Sequence, residues 1–408
     1  MSRWHGRSLE RRTLARVVLG AGTLFGLGYL GYTLVANPPA IGINFDVYRA
    51  AAADLWAGER VYGHSPIGNS DFTYRYPPVL LVWFSAYLLV PPVAGYLVHV
   101  LGTLAAGAAL GYLLVGETER LGATLATADR ALVVGFATVG SYVAPSLLYG
   151  NVNHHVGLAV AGGLVLLSSS RKALAGATLA LAALPKVFPA GVGAWLLWRR
   201  EWLATAAALA TGLGALAAGA VLFGPARTWR YFTTELLPRA GSGAFAGGLP
   251  ATSELVSLRR PLSVLVPGAG ETALAVAALA VVAPVVLYVY SGASGETGRL
   301  VAVFVTLACL LVVLPSYSLY WAVLLYPLVP LLYVLDSPAG DLFAAGALVT
   351  TLTLKLPDVA VLVRSLPLPE ETAGVLLAGA EAVYTVGTPV LWGTAAMVAA
   401  CVWWTATE

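Results

Sequence analysis

Apolar residues fall into long blocks separated by short polar breaks. The first runs from Val17 to Val35, and later ones cover about 79 to 90, 93 to 115, 131 to 148, 156 to 168, 173 to 198, 203 to 223, 273 to 290, 300 to 314, 319 to 335, 342 to 356 and 386 to 404, with a weaker block near 372 to 380. Many of these match the length of helix that crosses a hydrocarbon layer roughly 30 Å thick, and a helix satisfies its own backbone groups in lipid. The pattern predicts an all-α polytopic membrane protein of roughly 10 to 13 transmembrane helices. Residues 1–408 would form a single integral membrane domain.

Two hydrophilic stretches are too long for tight turns. One spans 37–78, directly after the first block; the other spans 225–262 and holds Trp229, Arg230, Tyr231, Glu235, Arg239, Glu254, Arg259 and Arg260. Loops of that size in a compact bundle tend to carry function.

Composition agrees with the pattern. Hydrophobic residues make up 59% of the 408 positions and charged residues 11%, with a mean hydropathy of +0.80. So few charges could not cover the surface of a soluble protein of this length, and a disordered chain is excluded as well. The balance of 23 basic and 20 acidic residues, +3, argues against a nucleic-acid partner. Cys309 and Cys401 both lie in apolar blocks, where a thiol behaves as a small hydrophobe and no disulfide framework is implied.

Charge position gives orientation. Arg3, Arg7, Arg11, Arg12 and Arg16 precede the first block, which reads as a cytoplasmic N-terminus and an uncleaved anchor. A cleaved signal peptide is the rival, and Arg11-Arg12 loosely mimics a twin-arginine signal; the long apolar run, the lack of an A-x-A-like site and the later spans favour the anchor. The stretch 37–78 is then outside the cytoplasm. Arg171-Lys172 and Arg199-Arg200 bracket 26 residues and both belong on the cytoplasmic side, so the chain between them is a re-entrant hairpin or two half-length helices. Its apex is Pro185-Lys186-Val187-Phe188-Pro189, where two prolines break the helix. The side on which each loop between 79 and 170 lies stays open.

Several residues could carry chemistry. Asp46 sits roughly ten residues past the first block among aromatic neighbours, either as an interfacial carboxylate in a tyrosine belt or as a general base at the membrane surface. Lys186 lies in an apolar setting where a lysine costs on the order of 2.5 to 3.5 kcal/mol to insert, so it either snorkels or meets an anion such as phosphate. Gly150-Asn151-Val152-Asn153-His154-His155 interrupts two apolar blocks; adjacent histidines point about 100° apart on a helix and make a poor metal pair. The amides could cap a helix or bond sugar hydroxyls. Arg259-Arg260, after Thr252-Ser253-Glu254, are solvated anchors or a phosphate clamp. No Walker loop, dinucleotide fingerprint, nucleophile elbow or zincin motif occurs, and the glycine-rich stretch 241–248 lacks the lysine of a phosphate loop. No metal and no cofactor is called for.

In order along the chain come Asp46-Val47-Tyr48, Gly58 and Tyr62, Tyr76-Pro77-Pro78, Gly150-Asn151-Val152-Asn153, Pro185-Lys186-Val187-Phe188-Pro189 and Ser253 with Arg259. This series, from about 44 to 330, resembles glycosyltransferase family 87, multi-span enzymes of the GT-C superfamily that use a polyprenyl-phosphate-linked sugar, typically mannose. The resemblance implies a GT-C-like fold with two larger extracytoplasmic loops and Asp46 as the catalytic aspartate. It further implies that Lys186 and Arg259 or Arg260 lie near the donor phosphate, with Arg75 a further cation for that anion. Tyr48, Asn151, Asn153, His154 and Tyr320 would contact the sugar or the acceptor. One departure stands out: such enzymes carry a histidine in a late Ser-Pro-x-Ser-Trp-x-His-like stretch, and this chain reads Pro315-Ser316-Tyr317-Ser318-Leu319-Tyr320-Trp321.

The chemistry fits. A polyprenyl phosphate leaves as a stable anion, so one base and nearby cations suffice, with inversion at the anomeric carbon. The expected partners are a polyprenyl-phosphate sugar donor, a glycan or glycolipid acceptor and the cell-membrane bilayer. Two rivals come from other classes, a transporter or flippase for a lipid-linked sugar and a non-catalytic membrane subunit. The lack of a visible internal repeat weighs mildly against a transporter built from inverted repeats.

Overall fold

The computed structural model describes residues 2–68, 72–237 and 248–408, with side chains from Arg11 onward. It is 78% helix, and the described residues contain no strand. Six helices are long and apolar enough to cross a membrane: Arg11–Ala36, Pro92–Arg120, Trp202–Phe223, Glu271–Gly292, Gly295–Val313 and Pro389–Thr407. A seventh candidate is the pair Ala339–Thr351 and Leu356–Ser365, bent by 80°.

Six to seven candidate spans support the all-helical membrane class without confirming the expected 10 to 13 transmembrane helices, and the reason is local. Several apolar blocks exist as helices but are shortened by breaks. The block read as 131–148 divides into Thr127–Val139 and Ala144–Tyr149 around Gly140. The blocks near 79–90, 156–168 and 319–335 form the short helices Pro78–Leu89, Asn153–Ser168 and Ser318–Val334. Apolar composition marks what is buried in protein or lipid; prolines and glycines set how far a helix continues.

The chain divides into two compact units. One holds residues 23–240 and 322–330, the other 1–22, 241–321 and 331–408. In the first, Pro92–Arg120 packs on Thr127–Val139 and Asn153–Ser168, and Lys172–Ala183 packs on Asn153–Ser168 and Trp202–Phe223. The expected proline-broken hairpin is present: Lys172–Ala183 rises to the apex and Phe188–Trp198 returns. Lys172 Nζ lies 2.8 Å from a Glu201 carboxylate oxygen, which brings the two basic pairs to one end of the hairpin.

In the second unit, Ala339–Thr351 crosses Pro389–Thr407 at Gly346 and Gly393. A Cβ on Gly346 would stand 2.6 Å from the Gly393 carbonyl oxygen, and one on Gly393 2.4 Å from that of Gly346. Small residues let membrane helices approach this closely. Arg259–Leu265 packs against Glu271–Gly292 and Glu370–Val386.

The stretch 37–78 is not simply a loop. Its alanine-rich part continues a 14-residue helix, Ile43–Trp56. Phe45, Val47, Tyr48, Ala51, Ala52 and Leu55 form its buried face at three- and four-residue spacings, enough to hold an amphipathic helix against the bundle.

Candidate active site

Asp46 lies in the first turn of helix Ile43–Trp56, where the free amides of a helix N-terminus favour a carboxylate. The helix starts at Gly42, whose φ of 74° is the left-handed conformation glycine adopts without strain. Gly42 donates to the Leu148 carbonyl at 2.9 Å and accepts from the Asp46 amide at 2.8 Å. The Asp46 side chain is exposed, but its surroundings strip part of its hydration and push its carboxyl above the ordinary carboxylate range. The Arg49 guanidinium, one turn on, pulls the other way.

The Gly150 break supports this helix from behind. Gly150 has φ 70°, and a Cβ there would meet Phe45 Cβ at 2.7 Å, so only glycine lets the Asp46 helix sit so close. Asn151 donates to the Asn44 side-chain oxygen at 3.1 Å, and its own oxygen accepts from the Val152 amide at 2.8 Å. The Phe45 ring meets Tyr87 and Tyr96 edge-on at 5.1 and 5.7 Å. Asn153 and His154 are fully buried: Asn153 donates to Ser146 Oγ at 2.7 Å, and the His154 ring lies 3.0 Å from the Thr138 carbonyl. These bonds hold Asn153–Ser168 to the two helices before the break.

On the other side of the Asp46 helix, the Tyr48 hydroxyl shares a 2.8 Å hydrogen bond with that of Tyr76. The Tyr76 ring face receives Lys186, whose Nζ lies 5.5 Å from the ring centroid, a cation–π contact. The hairpin apex thus meets the end of the first hydrophilic stretch, and Tyr76 joins Lys186 to Tyr48, two positions after Asp46 on the same helix. Arg75 is exposed beside Tyr76 and donates to Thr73 Oγ1 at 3.2 Å. Tyr62 donates to the Tyr76 carbonyl at 2.7 Å, and burial pushes its phenol up, so it remains a donor.

Arg259, Arg260 and Tyr320 belong to the other unit. Arg260 is fully buried and donates to the carbonyls of Tyr384 (2.5 Å), Ser253 (2.7 Å), Leu255 (3.3 Å) and Pro250 (3.5 Å). Arg259 donates to the Val313 carbonyl at 3.1 Å and to Glu271 at 3.4 Å. These bonds tie the segment before Arg259–Leu265 to the bundle, and a phosphate would have to displace them. Tyr320 packs edge-on against Tyr317 at 6.0 Å. Arg239 and residues 241–247 of the glycine-rich stretch lie outside the described residues.

Glu235 had no assigned role in the sequence reading. It is 4% exposed and accepts from the Gly63 amide at 3.2 Å and from Thr73 Oγ1 at 3.4 Å. The available signal is its spacing of four from Tyr231, the other buried residue of the turn 231–236.

The geometry defines an all-helical membrane protein in whose first unit a tyrosine pair and a lysine meet at the helix that carries an exposed carboxylate, Asp46. A family model for glycosyltransferase family 87 matches residues 72–316, and the chain belongs to that family. The matched region is shorter than the 44 to 330 suggested by motif order; it includes Arg75, Asn151, Asn153, His154, Lys186, Arg259 and Arg260, begins after Asp46 and Tyr48, and ends before Tyr320. A search among curated proteins finds no match. The protein is thus a membrane glycosyltransferase.

Proposed function

We propose that the protein transfers a hexose, mannose, from a polyprenyl-phosphate carrier to a glycan or glycolipid acceptor on the outer face of the cell membrane, with its N-terminus in the cytoplasm. Asp46 takes the proton of the acceptor hydroxyl as that oxygen attacks the anomeric carbon from the face opposite the phosphate. The bond from the anomeric carbon to the phosphate oxygen breaks with inversion, and polyprenyl phosphate leaves as an anion. Lys186 and Arg75 stabilise that charge. Tyr48, on the buried face of the Asp46 helix, anchors Tyr76, whose ring faces Lys186. Arg259 and Arg260 have a fold-holding role that accounts for their burial, so the donor phosphate is assigned to the cations around Tyr76.

The observation that carries this reading is the Tyr48–Tyr76–Lys186 series, which sets a cation and two bonded tyrosines against the helix whose exposed face carries Asp46. The test is to incubate purified protein with polyprenyl-phosphate mannose and a panel of glycan and glycolipid acceptors. Acceptor-dependent release of polyprenyl phosphate, with a mannose added to the acceptor, is expected. No release with any acceptor would overturn the reading.

A further inference from the structure

The segment that carries Tyr76 is held at its neck by a residue from far along the chain. The two Glu235 oxygens accept from Gly63 and from Thr73, which flank the same stretch of the first hydrophilic region. A buried carboxylate is costly unless hydrogen bonded, and these two bonds join Gly63 and Thr73, ten positions apart. The turn that supplies Glu235, Tyr231–Leu236, is π-helical, a rare insertion that often occurs at functional sites. It turns Tyr231 and Glu235 to one side, and the Tyr231 ring lies 6.1 Å from that of Tyr62. Tyr62, next to Gly63, donates to the Tyr76 carbonyl. The chain of contacts therefore runs from Glu235 through Gly63 and Tyr62 to Tyr76, whose hydroxyl meets Tyr48 and whose ring faces Lys186.

We propose that Glu235 is a positioning residue: it ties Gly63 to Thr73 and so fixes Tyr76, and with it Tyr48 and Lys186, for sugar transfer. The catalytic half of this inference rests on the transferase reading. In-line displacement needs the base and the phosphate-stabilising cation at fixed places, and a misplacement of about 1 Å can lower the rate by roughly 10²-fold.

Two measurements test it. The first needs no substrate: Val61, which is 3% exposed beside Tyr62, is changed to cysteine in a Cys309→Ala, Cys401→Ala background, and its rate of labelling by an impermeant maleimide is followed. Glu235→Ala should raise that rate several-fold; an unchanged rate would overturn the staple. This arm judges the staple even if the wild-type chain transfers no sugar, a result that would overturn the transferase reading alone.

The second measurement is kinetic, per folded molecule. Glu235→Ala should lower kcat by about 10- to 100-fold, while Glu235→Gln, which keeps an oxygen for Gly63 and offers its amide to the Thr73 hydroxyl, should stay close to wild type. Tyr62→Phe added to Glu235→Ala should cause little further loss, because both act along one path. An additive loss, or full kcat in Glu235→Ala, would contradict the positioning role. Should Glu235→Ala not fold, Thr73→Val removes one of the two bonds and should reduce kcat about threefold; unchanged kcat there would count against the proposal.

Discussion

Lys186 and Arg260 are both cations beside apolar helices, and their side chains end in different company. Arg260 is fully buried, with its guanidinium on four backbone carbonyls, one of them 124 positions away at Tyr384. Lys186 is half-buried at a proline-flanked hairpin apex, over the face of a tyrosine that bonds to the Asp46 helix. The first arrangement pins separate stretches of backbone by their carbonyls, and the second sets a compact ammonium against two bonded tyrosines. A cation in a membrane protein is therefore judged by where its hydrogen bonds go, because the same composition serves a pin or a binding group.

The comparison can be broken most forcefully at the base. Asp46→Asn keeps shape and removes the proton acceptor, so kcat should fall by roughly 10² or more while the yield of folded protein stays normal. Near wild-type release of polyprenyl phosphate by this variant would take Asp46 out of the mechanism and leave Lys186 without a partner function.

A smaller but specific effect is expected at the other end of the comparison. Arg260→Met abandons the buried Tyr384 carbonyl and three partly buried ones and should destabilise the protein by about 3 kcal/mol, read as a lower thermal midpoint of the monodisperse protein in detergent. An unchanged midpoint would mean that the carbonyl bonds do not hold the fold.

The smallest effect is a displaced pH profile. Partial burial raises the Asp46 pKa and the Arg49 charge offsets part of that rise. Only the ionised carboxylate can act as a base, so kcat/KM should fall as pH drops through the raised pKa. Arg49→Met removes an attractive charge, disfavours the carboxylate and should move that acidic limb upward by less than about one pH unit. A limb that stays in place, or moves down, would separate Arg49 from Asp46.

Much of this was legible in the sequence, and the parts that were not share a cause. Apolar blocks gave the membrane class and the places of the helices, basic pairs gave the hairpin, and Pro185 and Pro189 gave its apex at Lys186. Motif order led to the family. Helix lengths were not legible because hydropathy does not see where Gly140, or the bend between Thr351 and Leu356, ends a helix. The Ile43–Trp56 helix was half-hidden behind an alanine run, although its buried face has helical spacing. Asn153 and His154 are polar groups at a break, and sequence alone does not say whether such groups face a ligand or, as here, Ser146 and Thr138. Glu235 meets Gly63 and Thr73 across 172 and 162 positions, a pairing that only tertiary structure creates.

The central claim is that the donor phosphate is served by the cation over Tyr76 and not by the buried arginine pair. Its most direct test is kcat/KM for the polyprenyl-phosphate donor, measured side by side for Lys186→Met and Arg260→Met and normalised to folded protein. The account predicts a loss of about 10-fold or more for Lys186→Met and a value within about twofold of wild type for Arg260→Met. The reverse, an unaffected Lys186→Met with a large loss at Arg260, would contradict it and move the phosphate to the arginine pair.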